Sequence, residues 1–107
     1  MPTTIIRWEI IDAFSKFGFD DGDGPNFTDE VVAAIETAGP YRCHTRVWGL
    51  HNYAVETIEE EVKSGTWVRV AEFDGYALPP WESLPRTIRD ALIALNDGNA
   101  LTWRTLQ

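Results

Sequence analysis

The chain has 107 residues, 44% of them hydrophobic and 12% aromatic, with a net charge of −8 and a single cysteine. That length holds one globular domain, 1–107, with a modest core and leaves no room for two ordinary ones, and the composition excludes a disordered or low-complexity chain. A surface this acidic repels free nucleic acid and anionic membranes and attracts a basic protein.

The longest apolar runs are a few residues, far short of the roughly 20 that span a bilayer. The opening "MPTTIIRWEI" has neither the basic start nor the long apolar stretch of a signal peptide. Cys43 has no second cysteine to pair with and suits a reducing compartment, so a cytoplasmic location is expected.

The first predicted element is a helix over 4–17, where Ile6, Ile10, Ala13, Phe14 and Phe17 recur at helical spacing on one face and Gly18 follows as a stop. A second helix is predicted over 28–38. Thr28 serves there as N-cap, Asp29 and Glu30 sit at the positive end of the helix dipole, Val31, Val32, Ile35 and Ala38 face inward, and Gly39-Pro40 terminates. Residues 41–48 alternate as a strand, with Arg42, His44 and Arg46 along one face and Tyr41, Cys43, Thr45 and Val47 along the other.

The stretch 53–63 reads as a third helix, with Tyr53 or Val55, Ile58 and Val62 as a narrow apolar stripe and Gly65 at its C-cap. Residues 66–74 form the clearest strand, apolar on both faces. Strand, helix and strand in succession predict parallel pairing through a right-handed crossover; a hairpin turning at "GLHN" is the alternative. After the rigid "ALPPWE" comes a fourth helix over 84–96, capped by Ser83, with Leu84, Ile88, Ala91, Leu92 and Leu95 inward. The tail 101–106 suits a short edge strand that could pair across a homodimer. The expected fold is a compact two-layer α/β (α+β) domain, about three strands covered by about four helices.

The charge is unevenly spread. Residues 1–38 net −6, 39–53 net +2, 54–82 net −5 and 83–107 net +1. The densest acidic stretch, "GFDDGDGPNFTDE" (18–30), invites comparison with a calcium loop. With Gly24 at loop position 6, Asp21, Asp23 and Glu30 fall on ligand positions 3, 5 and 12, but position 1 is Phe19 where a carboxylate is needed. A weak Ca²⁺ module using 21–30 is therefore one alternative, and no metal is assigned. The preferred reading is a solvated connection whose acids serve as surface charge.

"CHTRVWGLHN" collects Cys43, His44 and His51, too few for a closed zinc set, and Cys43 and His44 point to opposite faces of a strand. A pocket lined by this segment would make the chain a small enzyme or ligand-binding domain, a third alternative. No phosphate-binding glycine loop, GxSxG elbow or HExxH is present, so no catalytic residue and no cofactor is assigned. Five tryptophans are many for this length, and Trp81 in "PPWES" is hard to bury fully, which makes it a candidate interface anchor.

These features predict a small, non-enzymatic, acidic protein that docks on a basic, nucleic-acid-handling protein partner and inhibits it. Anti-CRISPR and anti-restriction counter-defence proteins, some of them nucleic-acid mimics, have this size and charge, as do immunity proteins and antitoxins. The predicted contacts are Asp20, Asp21, Asp23, Asp29 and Glu30, then Glu56, Glu59, Glu60 and Glu61 on one helix face, with Trp81 as anchor.

Overall fold

The computed structural model describes residues 8–14, 27–48, 52–73 and 78–103. Helix α1 (Trp8–Asp12) and helix α2 (Thr28–Ala38) precede three strands, β1 (Tyr41–Trp48), β2 (Asn52–Lys63) and β3 (Thr66–Glu72). A 3₁₀ turn (Trp81–Ser83) then leads into helix α3 (Arg86–Leu95). The sheet is an antiparallel meander in the order β1-β2-β3, and the class is mixed α/β, with three helices among the described residues where four were expected.

The predicted helix over 53–63 is a strand, and with it the parallel crossover disappears in favour of the hairpin alternative. The misleading signal was the three-residue step from Val55 to Ile58. In a regular strand that step puts the two side chains on opposite faces. Here His44 opposes Thr57 while its neighbour Thr45 opposes Val55, so Glu56 is an extra, unpaired residue. This bulge brings Val55 and Ile58, both fully buried, onto the same side. Val62, the third member of the supposed stripe, is 56% exposed. The β-branched Val55, Thr57, Ile58 and Val62 favour extended backbone, and pairing on both sides of β2 outweighs the helical propensity of its glutamates. Gly65, at φ +79°, sits in the β2–β3 turn and caps no helix.

Other boundaries moved less. Helix α2 spans 28–38 as predicted, but Phe27 holds the N-cap place; the Thr28 side chain is buried and its Oγ1 donates to the Tyr53 carbonyl at 2.8 Å. Helix α3 starts two residues late because Pro85 stays extended, and Ser83 Oγ donates to Pro80 O within the 3₁₀ turn. Strand β3 ends at Glu72. Residues 101–103 form no strand, since Leu101 is buried in the core and Trp103 packs against it. Residues 104–106 of that prediction, and the flanks of the predicted 4–17 helix, lie outside the described residues.

One core joins all these elements on one side of the sheet. Ile10, Ala13 and Phe14 come from α1 and its end, Val31 and Ile35 from α2, Val55, Ile58, Ala71 and Phe73 from the sheet region, and Ile88 and Leu92 from α3. Phe14 is its centre, 4.5 Å from the Phe73 ring and 5.7 Å from Trp103. Val55 N donates to Ala13 O at 2.6 Å, tying the end of α1 to β2, and Glu61 N donates to Pro40 O at 2.8 Å, extending the β1–β2 ladder by one residue. Helix α2 lies against both β1 and α3, and the Tyr41 hydroxyl meets Thr87 Oγ1 at 2.7 Å.

Candidate functional site

Cross-strand partners share a face, so register and alternation sort the charged residues. Arg42, His44 and Arg46 of β1, Glu56, Glu59 and Glu61 of β2, and Trp67 and Arg69 of β3 all lie on the side of the sheet away from the core. On this open face the charges meet each other. Arg42 Nε donates to Glu59 Oε1 at 2.7 Å. His44 Nε2 donates to the same oxygen at 2.6 Å, since an ionised carboxylate can only accept. Arg46 Nη2 stands 3.1 Å from Glu56 Oε1, and Arg69 Nη1 stands 3.2 Å from Glu72 Oε2. The Arg42 guanidinium also covers the Trp67 ring at 4.2 Å.

These contacts set the carboxyl chemistry. The hydrogen bond from His44, then the one from Arg42, holds the Glu59 carboxyl below its ordinary 4.5. The bond from Arg46 does the same for Glu56. Residues 41–72 carry five acids against four bases and net only −1. The four glutamates Glu56, Glu59, Glu60 and Glu61 therefore form no helical acidic face. Glu56 and Glu59 are matched within the sheet, Glu61 accepts from Gly65 N at 3.0 Å, and Glu60 lies on the opposite face beside Tyr41 and Val68.

The excess negative charge lies elsewhere. Residues 18–30 hold five acids and no base. Of these, Asp29 and Glu30 occupy the first turn of α2 and are exposed, where the helix dipole favours their charge. The Tyr53 hydroxyl donates to Asp29, and desolvation, with that bond second, pushes the phenol up to about 12. Asp20, Asp21 and Asp23, and with them the calcium register, lie outside the described residues. Among the described residues no group of three His, Cys, Asp or Glu could hold a metal ion.

Trp81 is not an outward anchor. It is 9% exposed and meets the Trp103 ring edge-on at 5.3 Å, because the 3₁₀ turn after the prolines folds it into the core. Cys43 opposes Ile58 on the core side, and burial, with Glu36 adding to it, pushes its thiol up to about 12. It is therefore a neutral thiol at physiological pH, on the opposite face from His44, and no nucleophile pair forms between the two. His51 lies outside the described residues.

The basic row of β1 was visible as alternation in the sequence; its pairing with Glu56 and Glu59 was hidden by reading β2 as a helix. Among the described residues no helix is long and apolar enough to cross a membrane. No family model, curated protein or solved structure matches the chain.

Proposed function

We propose that this chain is a small acidic docking protein that binds a basic surface on a nucleic-acid-handling protein and blocks it, in the manner of counter-defence inhibitors of the anti-CRISPR or anti-restriction type. One observation carries the reading: the sheet nets only −1, while five acids without a base are gathered in residues 18–30, ending in the exposed first turn of α2. Charge compensated inside a sheet costs an approaching cation its attraction. Charge left uncompensated steers it in.

The contact set centres on Asp20, Asp21, Asp23, Asp29 and Glu30, with Glu60 and Glu61 secondary. An immunity protein or antitoxin uses the same chemistry against a basic toxin. The test is binding to a panel of purified nucleases and effector complexes. Association slows at least tenfold between about 50 and about 300 mM salt, and slows again in Asp29→Lys/Glu30→Lys, while Glu82→Lys leaves it unchanged. Binding indifferent both to salt and to that double reversal overturns the reading.

A further inference from the structure

We infer that the outer edge of β3 is a self-pairing surface through which two copies of this chain join their sheets antiparallel, on a twofold axis at Val68. Among the described residues the sheet has two edges, β1 and β3. The β1 edge is blunted. Pro40 precedes it, α2 lies against it, and the Glu36 carboxylate takes the Cys43 N–H at 3.0 Å. Strand β3 has no such guard among the described residues, and its Val68 is 46% exposed on the core side of the sheet, beside Glu60.

The occupant follows from the strand's own sequence. Residues directly opposite in an antiparallel pair share a face, so a twofold axis must pass through a residue and not between two. Centred on Arg69, it would set Arg69 against its own copy. Centred on Val70, it would fall on the irregularity where Ile58 opposes Ala71 and Glu59 opposes Arg69, leaving Val70 unpaired. Centred on Val68, it sets Val68 against Val68 of the other copy, and Trp67 against Arg69 of the other copy twice over. The first closes an exposed apolar contact; the second places a guanidinium by an indole on the open face. Arg69 is available for this, since its present bond to Glu72 joins two mostly exposed side chains of the same strand. The result is a continuous six-stranded sheet.

Two bodies of charge −8 repel, so this dimer tightens as salt rises. Docking on a basic partner weakens with salt, so the two proposals fail separately. Sedimentation equilibrium of the full chain between about 5 and about 500 µM reads the mass, and a dimer makes that mass concentration-dependent. The mass rises from 12.1 kDa toward twice that value, more steeply at high salt. Val68→Lys weakens the dimer at least tenfold, and its thermal melt matches the parent's at dilutions where both are monomers. In a Cys43→Ala background, Val68→Cys gives a disulfide-linked dimer on mild oxidation and Val47→Cys, on the β1 edge, does not. A mass of 12.1 kDa across the range, a dimer that Val68→Lys leaves intact, or cross-linking through Val47→Cys in place of Val68→Cys overturns the inference.

Discussion

Arg42 and Trp67 sit on the two outer strands of the sheet, yet the guanidinium of one lies 4.2 Å from the ring centroid of the other, reaching across β2. The same guanidinium holds Glu59 on the strand between them. A single side chain thus ties three strands together on the open face, by stacking and by charge. A double-mutant cycle on Arg42→Ala and Trp67→Ala, read by urea unfolding, gives a coupling of about 0.5–1 kcal/mol. Arg42→Lys keeps the charge and loses most of the coupling, because an ammonium lacks the planar group that stacks.

Ile58 and Val62 are four apart on β2 but unequal: Ile58 lies between Cys43 and Ala71 inside the sheet, while Val62 falls at the register shift between Glu61 and Lys63. Ile58→Ala empties a fully buried site and costs about 2–5 kcal/mol in chemical denaturation. Val62→Ala stays within about 0.5 kcal/mol, because that side chain is mostly in water. Equal losses at the two positions would mean a helical stripe and contradict the strand.

Two glycines are required for different reasons. A Cβ on Gly39 would stand 2.8 Å from the Tyr41 ring, which is itself pinned by Thr87, so Gly39→Ala costs about 1–3 kcal/mol by overpacking. A Cβ on Gly65 meets nothing, but φ is +79°, so Gly65→Ala costs about 1–2 kcal/mol through the backbone alone. Tyr41→Ala relieves the first penalty and leaves the second, which thermal melts of the double variants separate.

Acid acts on the open face first. Glu56 and Glu59 have folded-state values below 4.5, so an unfolded chain takes up their protons before the folded one does. The stability they add is present above pH 4.5 and is lost as pH falls through the lowered folded values. In Glu56→Gln/Glu59→Gln the acid limb of a stability–pH curve flattens, while the neutral plateau drops.

Alkali acts through the core side. The Cys43 thiol is raised from 9.0 to about 12, so the folded state holds its proton longer than the unfolded one. That contribution is complete below pH 9.0 and is lost as pH climbs to about 12. Cys43→Val removes this part of the alkaline decline, seen as a shallower fall in melting temperature above pH 9.0.

Helix α2 and strand β1 could be read to the residue because each has one period and clear stops: Gly39-Pro40 for the helix, strict alternation from Tyr41 for the strand. Strand β2 could not, because a bulge converts a period of two into steps of two and three, and the step of three looks helical. The charge pattern depends on the same assignment. Placed on a helix, Glu56, Glu59, Glu60 and Glu61 form an acidic face; placed on β2, two of them answer the arginines and histidine of β1. Trp81 failed for a similar reason. Pro79 and Pro80 announce a rigid turn but not its direction, and the direction comes from Trp103, distant in sequence, which Trp81 meets edge-on. Asp29 and Glu30 needed only the start of α2 to be placed.

The unpaired position at Glu56 also bears on how the length of this chain can vary. Losing one residue there brings Val55 and Ile58 two apart, and a plain strand keeps both pointing inward. Losing one at Glu60 leaves Glu59 and Glu61 adjacent and turns one of them away from the open face, out of step with Trp67. Shortened homologues of this fold should therefore carry their gap at the bulge, where a missing residue straightens the strand without turning it over.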